Sequence, residues 1–238
     1  MFISTLTDLL TAEQLGRLHH LLGSVTFIDG RVSGGTDSTK RNLELEPDTR
    51  AYLDVLKLTE SALRSSMEFH FTAFPRYITR PIISRYDTGM FYKEHTDFPV
   101  AYFLDALNPA PHRALAPFGT QFVRTDLSMT LFLSDPATYE GGELCFEGPG
   151  GMLRYKLTAG SAVLYPTGAP HSVSLVTRGS RLAAIFWIQS VFPQEPQRRA
   201  VYDAHQLLKS VERALPGSPL VEQAERNLHS IMRLFALV

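Results

Sequence analysis

A chain of 238 residues with 44% hydrophobic and 20% charged side chains, 16 Gly and 15 Pro has the make-up of one principal globular domain with room for a small appendage, not of a disordered or fibrous protein. Its 23 basic and 24 acidic side chains leave a formal net charge of −1, so no global field is available to hold nucleic-acid phosphates or an anionic membrane. One thiol, Cys145, can build neither an intrachain disulfide nor a cysteine zinc site nor an iron–sulfur cluster, and a reducing cytoplasm is the simplest setting.

At the N-terminus, Met1 to Leu6 lacks a basic leader, and Asp8 and Glu13 interrupt any apolar run, so no secretory signal is expected. Thr11-Ala12-Glu13-Gln14 reads as a capping box. Leu15, Leu18 and Leu22 follow at helical spacing, which predicts a helix over about 12–22. His19 and His20 on it point about 100° apart and are read as surface residues. The polar stretch Asp29 to Glu46 is expected as loop or edge structure, and Tyr52, Val55, Leu56 and Leu63 then predict a second helix over about 47–64.

From Tyr77 to Ser190 the period changes to two. Strands are expected near Ile82–Tyr86, Tyr92–Asp97, Ser128–Leu133, Glu143–Glu147, Ser161–Tyr165, His171–Val176 and Leu182–Gln189, and Gly148-Pro149-Gly150-Gly151 reads as a hairpin turn. The longest apolar run, Leu182 to Ile188, is far shorter than the roughly 20 residues that span a bilayer, so no membrane helix is expected. Short strands at close spacing suggest a sandwich or jelly-roll barrel over about 77–190. After Pro193 and Pro196 the pattern is helical again. The expected organisation is a mainly β domain over 1–192 with flanking helices, followed by a helical extension over 193–238.

Of the eight histidines only His95 has an acidic residue two positions on, Asp97. About 0.4 such pairs arise by chance in a chain of this composition, so the pair alone is weak, and a surface ion pair on a strand explains it equally well. Alternate residues of a strand share a face, however, which would set imidazole and carboxylate side by side as a metal needs. His171 follows the turn Pro166-Thr167-Gly168-Ala169-Pro170 and would open a strand near the barrel mouth. Two histidines and one carboxylate leave three positions open, the arrangement of non-haem Fe(II) oxygenases, though zinc hydrolases share these ligand types. Arg181 lies across the Thr177-Arg178-Gly179-Ser180 turn from the strand of His171. If that hairpin closes, Arg181 sits opposite about position 176, roughly 16 Å along the strand from His171. An arginine reaching back covers part of that gap, and the remainder suits a short dicarboxylate, one end on a metal and the other in the guanidinium fork, although a purely structural arginine is the plainer reading.

Residues Arg85-Tyr86, His95-Thr96-Asp97, Arg124 to Pro136, Tyr139 to Leu144, Leu164-Tyr165-Pro166, His171, Val176 to Arg181 and Phe186 to Ser190 resemble the PKHD-type hydroxylases, Fe(II)- and 2-oxoglutarate-dependent dioxygenases related to prolyl and lysyl hydroxylases. Asp29-Gly30-Arg31-Val32 and the helical tail fit the same resemblance, which spans most of the chain. It implies a double-stranded β-helix with iron on His95, Asp97 and His171. Arg181 would hold the distal carboxylate of 2-oxoglutarate with help from Tyr86, and Tyr92 and Arg31 are the candidates to face the substrate. O2 would be consumed, with ascorbate as a reductant among the implied cofactors. The partner would be a small-molecule, amino-acid or peptidyl substrate, not nucleic acid or membrane. The C-terminal helices have apolar faces suited to sealing the barrel or to a homodimer.

The interval from Asp97 to Arg124 looks about a dozen residues longer than in most members of the resembling family, Pro-rich and aromatic, and its Phe98–Phe122 segment is expected to form a mobile, substrate-selecting lid. Retention of Asp97 disfavours the halogenating branch. The rival readings are another metal-dependent barrel enzyme, either a hydrolase or a dioxygenase without a cosubstrate, and a non-catalytic binding protein of the same fold.

Overall fold

The computed structural model of the protein describes residues 2–34, 36, 38–103, 121–148 and 150–237. Strand β1 (Ser4–Leu6) leads into helix α1 (Ala12–Gly23), where Thr11 accepts from the Gln14 amide and the Gln14 side chain accepts from the Thr11 amide, the capping box read from sequence. The polar stretch that follows contributes a 3-10 turn (Gly30–Ser33) and three short strands, β2 (Phe27–Asp29), β3 (Lys40–Arg41) and β4 (Leu43–Leu45). Helix α2 (Arg50–Ser65) begins after 47 because Asp48 takes a positive φ of 63° and Thr49 is the extended N-cap. A further helix, α3 (Met67–Ala73), was not legible in sequence: Ser66 closes α2 and also caps α3 by accepting from the Phe69 amide, with no Gly or Pro to mark the break.

The remaining strands are β5 (Pro75–Ile78), β6 (Ile82–Asp87), β7 (Phe91–His95), β8 (Val100–Phe103), β9 (Gln121–Arg124), β10 (Leu127–Phe132), β11 (Glu140–Gly141), β12 (Leu144–Gly148), β13 (Gly151–Tyr155), β14 (Ala162–Pro166), β15 (His171–Val173), β16 (Val176–Arg178) and β17 (Ser180–Ser190). One sheet runs β1-β14-β10-β17-β6-β4-β2, with β5 also on β17, and the facing sheet runs β13-β12-β15-β7-β3. Successive strands alternate between the sheets: β6, β10, β14 and β17 lie in the first, β7, β12 and β15 in the second. That alternation, antiparallel throughout, is a double-stranded β-helix. Gly148 and Gly151 close the β12–β13 hairpin as expected.

Both faces of the first sheet are covered, which is why β10 is buried along its whole length. Leu127, Met129 and Leu131 face outward into a core with Leu18, Val55 and Phe69 of the helices. The alternate residues Ser128, Thr130 and Phe132 therefore face the barrel interior, where Phe132 meets Phe146 and Tyr165. Helices α4 (Glu195–Ala214) and α5 (Pro219–Phe235) form the expected pair and pack Val201 and Leu228 around Phe74 and Phe192. No described helix is long and apolar enough to cross a membrane.

Three expectations are corrected. The segment His171–Val176 is two strands, β15 and β16, split at Ser174-Leu175. The hairpin placing Arg181 opposite position 176 does not form: β16 pairs with β11, while β17 crosses to the other sheet and sets Arg181 directly opposite Tyr86 of β6. Asp97 also lies beyond its strand, since β7 ends at His95. Around the expected lid, β8 and β9 pair as a two-stranded ladder, so its ends have regular structure. The rest of that segment, 104–120, lies outside the described residues.

The β11–β16 contact depends on Gly141, which has a φ of +71° and where an added Cβ would stand 1.9 Å from the Leu175 carbonyl oxygen. Backbone must shift to admit any side chain. Gly141→Ala is expected to destabilise the fold by about 2–4 kcal/mol in urea unfolding, combining left-handed strain with the clash.

His205 of α4 is buried and stacks on Phe71 of α3 with ring centroids 3.9 Å apart, and burial, with Lys209 nearby, lowers its pKa while Glu212 opposes. A histidine kept neutral by folding takes up its proton first in the unfolded chain, so stability should fall as pH drops below the unfolded value of about 6.5 and level off below the folded one. His205→Leu should flatten that part of the stability–pH profile measured by thermal unfolding between pH 5 and 8.

Candidate metal centre

His95 closes β7, His171 opens β15, and the two are direct partners across the ladder, with ring centroids 4.3 Å apart. Asp97 turns back two residues later. Its Oδ1 lies 3.9 Å from His95 Nε2 and its Oδ2 3.8 Å from His171 Nε2, and the three ligand atoms all fall within 4.8 Å of one another. Each ring is oriented by its other nitrogen: His95 Nδ1 donates to the Lys93 carbonyl at 2.8 Å and His171 Nδ1 to the Ala169 carbonyl at 2.9 Å. A carbonyl only accepts, so the proton sits on Nδ1 and the Nε2 lone pair faces Asp97. Burial, with the neighbouring His171 imidazole, holds the His95 pKa well below the usual histidine range, which keeps that lone pair free at neutral pH. Ser128 Oγ donates to Asp97 Oδ2 at 2.6 Å and fixes the carboxylate.

Two neutral imidazoles and one carboxylate, with no thiol, suit Fe(II) with open positions. Ser128→Ala should leave the fold intact and weaken iron binding about 10–100-fold in an anaerobic metal titration, the usual effect of losing a hydrogen bond to a ligand.

The triad opens on a cavity of about 310 Å³, within the range of small-molecule sites, which Arg181, Tyr86, Tyr165 and Trp187 also line. Arg181 is 1% exposed, its guanidinium lies 5.3 Å from the Tyr86 ring and 5.4 Å from the Phe132 ring, and its Nε has no hydrogen-bond partner among the described residues. A buried guanidinium with an unspent donor is costly unless an anion completes it, so the arrangement fits a carboxylate ligand.

The sequence model of the 2OG-Fe(II) oxygenase superfamily matches residues 81–189. The chain is 36% identical over 234 residues to a PKHD-type hydroxylase of Gluconacetobacter diazotrophicus, covering 97% of each protein. It is 33% identical over 235 residues to one of Paracoccus denitrificans, covering 98% of each. The chain belongs to the PKHD-type hydroxylases. Among solved structures, its fold is similar to a Pseudomonas putida prolyl-4-hydroxylase (TM-score 0.50, 18% identity, 79% of this chain and 92% of that one). It is also similar to a Trichoplax adhaerens prolyl hydroxylase solved with a peptide fragment of hypoxia inducible factor (TM-score 0.55, 13% identity, 84% and 86%). As a PKHD-type hydroxylase the protein is an oxidoreductase that uses Fe(II), 2-oxoglutarate and O2, and the His95–Asp97–His171 triad fits the iron.

The other residues singled out from sequence fall in different places. Tyr86 is buried against Arg181, and burial raises its pKa, so it stays a phenol able to donate. Tyr92 lines the cavity, its ring stacked on His95 at 3.6 Å, and burial pushes its hydroxyl up to about 12. Arg31 stands apart from these: it is exposed, ion-paired with Asp29, and not part of the cavity wall, although Ser33 and Gly34 of the same turn are. Sequence reasoning missed Ser128 and Tyr165, although the strands carrying both were read and their parity with Phe132 and Val163 points them inward. Tyr165 is fully buried and its hydroxyl lies 3.3 Å from His171 Nε2. Lys40 and Glu44 were also missed, since their stretch read as loop.

Proposed function

We propose that this PKHD-type hydroxylase holds Fe(II) on His95, Asp97 and His171, binds 2-oxoglutarate through Arg181 and Tyr86, and hydroxylates an aliphatic C–H of a small-molecule, amino-acid or peptidyl substrate. The observation that carries this reading is the buried Arg181, with an unspent Nε, in the same cavity as the triad. When bound, iron and 2-oxoglutarate supply the oxidising power: O2 is reduced, 2-oxoglutarate is converted to succinate and CO2, and one oxygen atom enters the substrate.

The chain's own residues bind, orient and exclude water. Arg181 offers a planar fork to the distal carboxylate, and the Tyr86 phenol beside it offers an O–H, so the cosubstrate is fixed at the end remote from the metal. Lys93 and Ala169 carbonyls hold the imidazoles in one tautomer, and Ser128 holds Asp97. The Tyr165 hydroxyl, kept protonated by burial, stands 3.3 Å from His171 Nε2 at the edge of the triad. Trp187, Ile185 and Val173 give part of the cavity wall an apolar surface, which restricts water along it. No side chain is required as a general base.

The test is to incubate the protein with Fe(II), 2-oxoglutarate and candidate amino acids, capped peptides and metabolites. Succinate release matched by a mass gain of one oxygen atom in the substrate is expected. Substrate conversion that continues with 2-oxoglutarate omitted would overturn the reading.

A further inference from the structure

The cavity contains a second polar feature that iron and 2-oxoglutarate do not use. Lys40 of β3 and Glu44 of β4 form an ion pair at 2.7 Å that bridges the two sheets, and the residues are only 5% and 4% exposed. All three Lys40 donors are spent, on the Gly30 carbonyl (2.9 Å), Ser33 Oγ (2.6 Å) and Glu44 Oε1 (2.7 Å). Every donor that reaches Glu44 goes to the same oxygen: Oε1 also accepts from Ser33 Oγ at 2.6 Å and from Asn42 Nδ2 at 3.4 Å. Among the described residues nothing donates to Oε2, and Glu44 lines the cavity. The pair also stands close to the metal centre. Lys40 Nζ lies 5.2 Å from the centre of the Tyr92 ring, which also stacks on the His95 imidazole.

We propose that Glu44 is a specificity residue whose free Oε2 accepts a hydrogen bond from a neutral N–H of the substrate, so that the hydroxylated molecule carries a carboxamide, either of a peptide backbone or of a free amide. The inference rests on the dioxygenase reading above and adds the class of substrate. Glu44 lines the cavity, so a ligand that covers Oε2 strips water from it, and one that supplies an N–H in return is favoured over one that does not. The donor is neutral because Lys40 already occupies the other oxygen. A substrate cation would be buried beside that ammonium, where like charges a few ångströms apart in a poorly solvated site repel strongly. An acceptor-only or anionic group would face the bare carboxylate oxygen and is rejected.

The side chain of Glu44→Gln is isosteric and its orientation is dictated. Lys40 and Ser33 need an acceptor, so the amide oxygen takes the Oε1 position and the amide NH2 turns into the cavity. The subsite then changes from acceptor to donor. The experiment is ligand-observed NMR binding on protein loaded with Fe(II) and 2-oxoglutarate under anaerobic conditions, using butyramide, methyl butyrate, n-butylammonium and N-acetylglycine N-methylamide as probes. Wild type should bind butyramide or the capped glycine at least fivefold tighter than methyl butyrate and n-butylammonium. Of the two amides, tighter butyramide marks a free carboxamide and tighter capped glycine a peptide backbone. Glu44→Gln should bring the amide-to-ester ratio to one or below. The proposal is overturned if wild type shows no amide preference, if n-butylammonium binds tightest, or if Glu44→Gln leaves the ratio unchanged with an unaltered thermal midpoint. Iron and 2-oxoglutarate binding are read on the same wild-type sample. Their absence would sink the dioxygenase reading, whereas their presence without an amide preference would sink only this inference.

Discussion

His171→Ala is expected to abolish turnover, with a loss of at least about a thousandfold, and to weaken iron binding by more than about a hundredfold. His171 is buried, its Nε2 is held toward Asp97 by the Nδ1–H bond to Ala169, and its place opposite His95 is set by the β15–β7 pairing. The proposed ligand set is three groups, and losing one removes a third of the protein's donors to the metal. The substitution also leaves a small cavity beside Phe146 and Tyr165, which should lower stability by about 1–3 kcal/mol without unfolding the chain. Circular dichroism establishes that the variant is folded, and an anaerobic iron titration reads the affinity. Near-wild-type iron binding by folded His171→Ala would reassign the triad.

Arg181→Ala should act on the cosubstrate and spare the metal. A charge-assisted bidentate contact is worth roughly 1.5–3 kcal/mol, which is about a 10–100-fold loss of 2-oxoglutarate affinity. Arg181→Lys should recover only part of it, because an ammonium lacks the planar fork. The two readings of this residue differ when 2-oxoglutarate is added. Truncating so buried a side chain leaves a cavity between the Tyr86 and Phe132 rings and costs stability in either reading. Only in the cosubstrate reading should the thermal shift that 2-oxoglutarate gives the wild type also disappear. Unchanged 2-oxoglutarate affinity in the alanine variant would return Arg181 to a structural role.

The barrel was legible because apolar and polar residues alternate where one face meets the helices, as along Leu127, Met129 and Leu131 with Ser128 and Thr130 between them. The pairing of His95 with His171 was not legible, since register across sheets depends on which strands become neighbours, and alternation alone does not encode that. For the same reason Arg181 was set against position 176: adjacent strands joined by a tight turn ordinarily pair, but here β16 forms a two-stranded ladder with β11 while β17 joins the first sheet. Lys40 and Glu44 escaped notice because β3 and β4 are two and three residues long, too short to show a period, and a charged stretch reads as solvated until the fold buries it. Ser66 hid the α2–α3 junction in a similar way, by serving as the end of one helix and the cap of the next.

The most direct measurement is an anaerobic equilibrium titration of wild type, His171→Ala and Arg181→Ala, first with Fe(II) and then with 2-oxoglutarate on the iron-loaded protein. Wild type should bind one equivalent of each, His171→Ala should lose the iron step, and Arg181→Ala should keep the iron step while losing at least tenfold in the 2-oxoglutarate step. Retention of both steps in folded His171→Ala, or tight 2-oxoglutarate binding in folded Arg181→Ala, would contradict the assignment of this cavity as the iron and cosubstrate site.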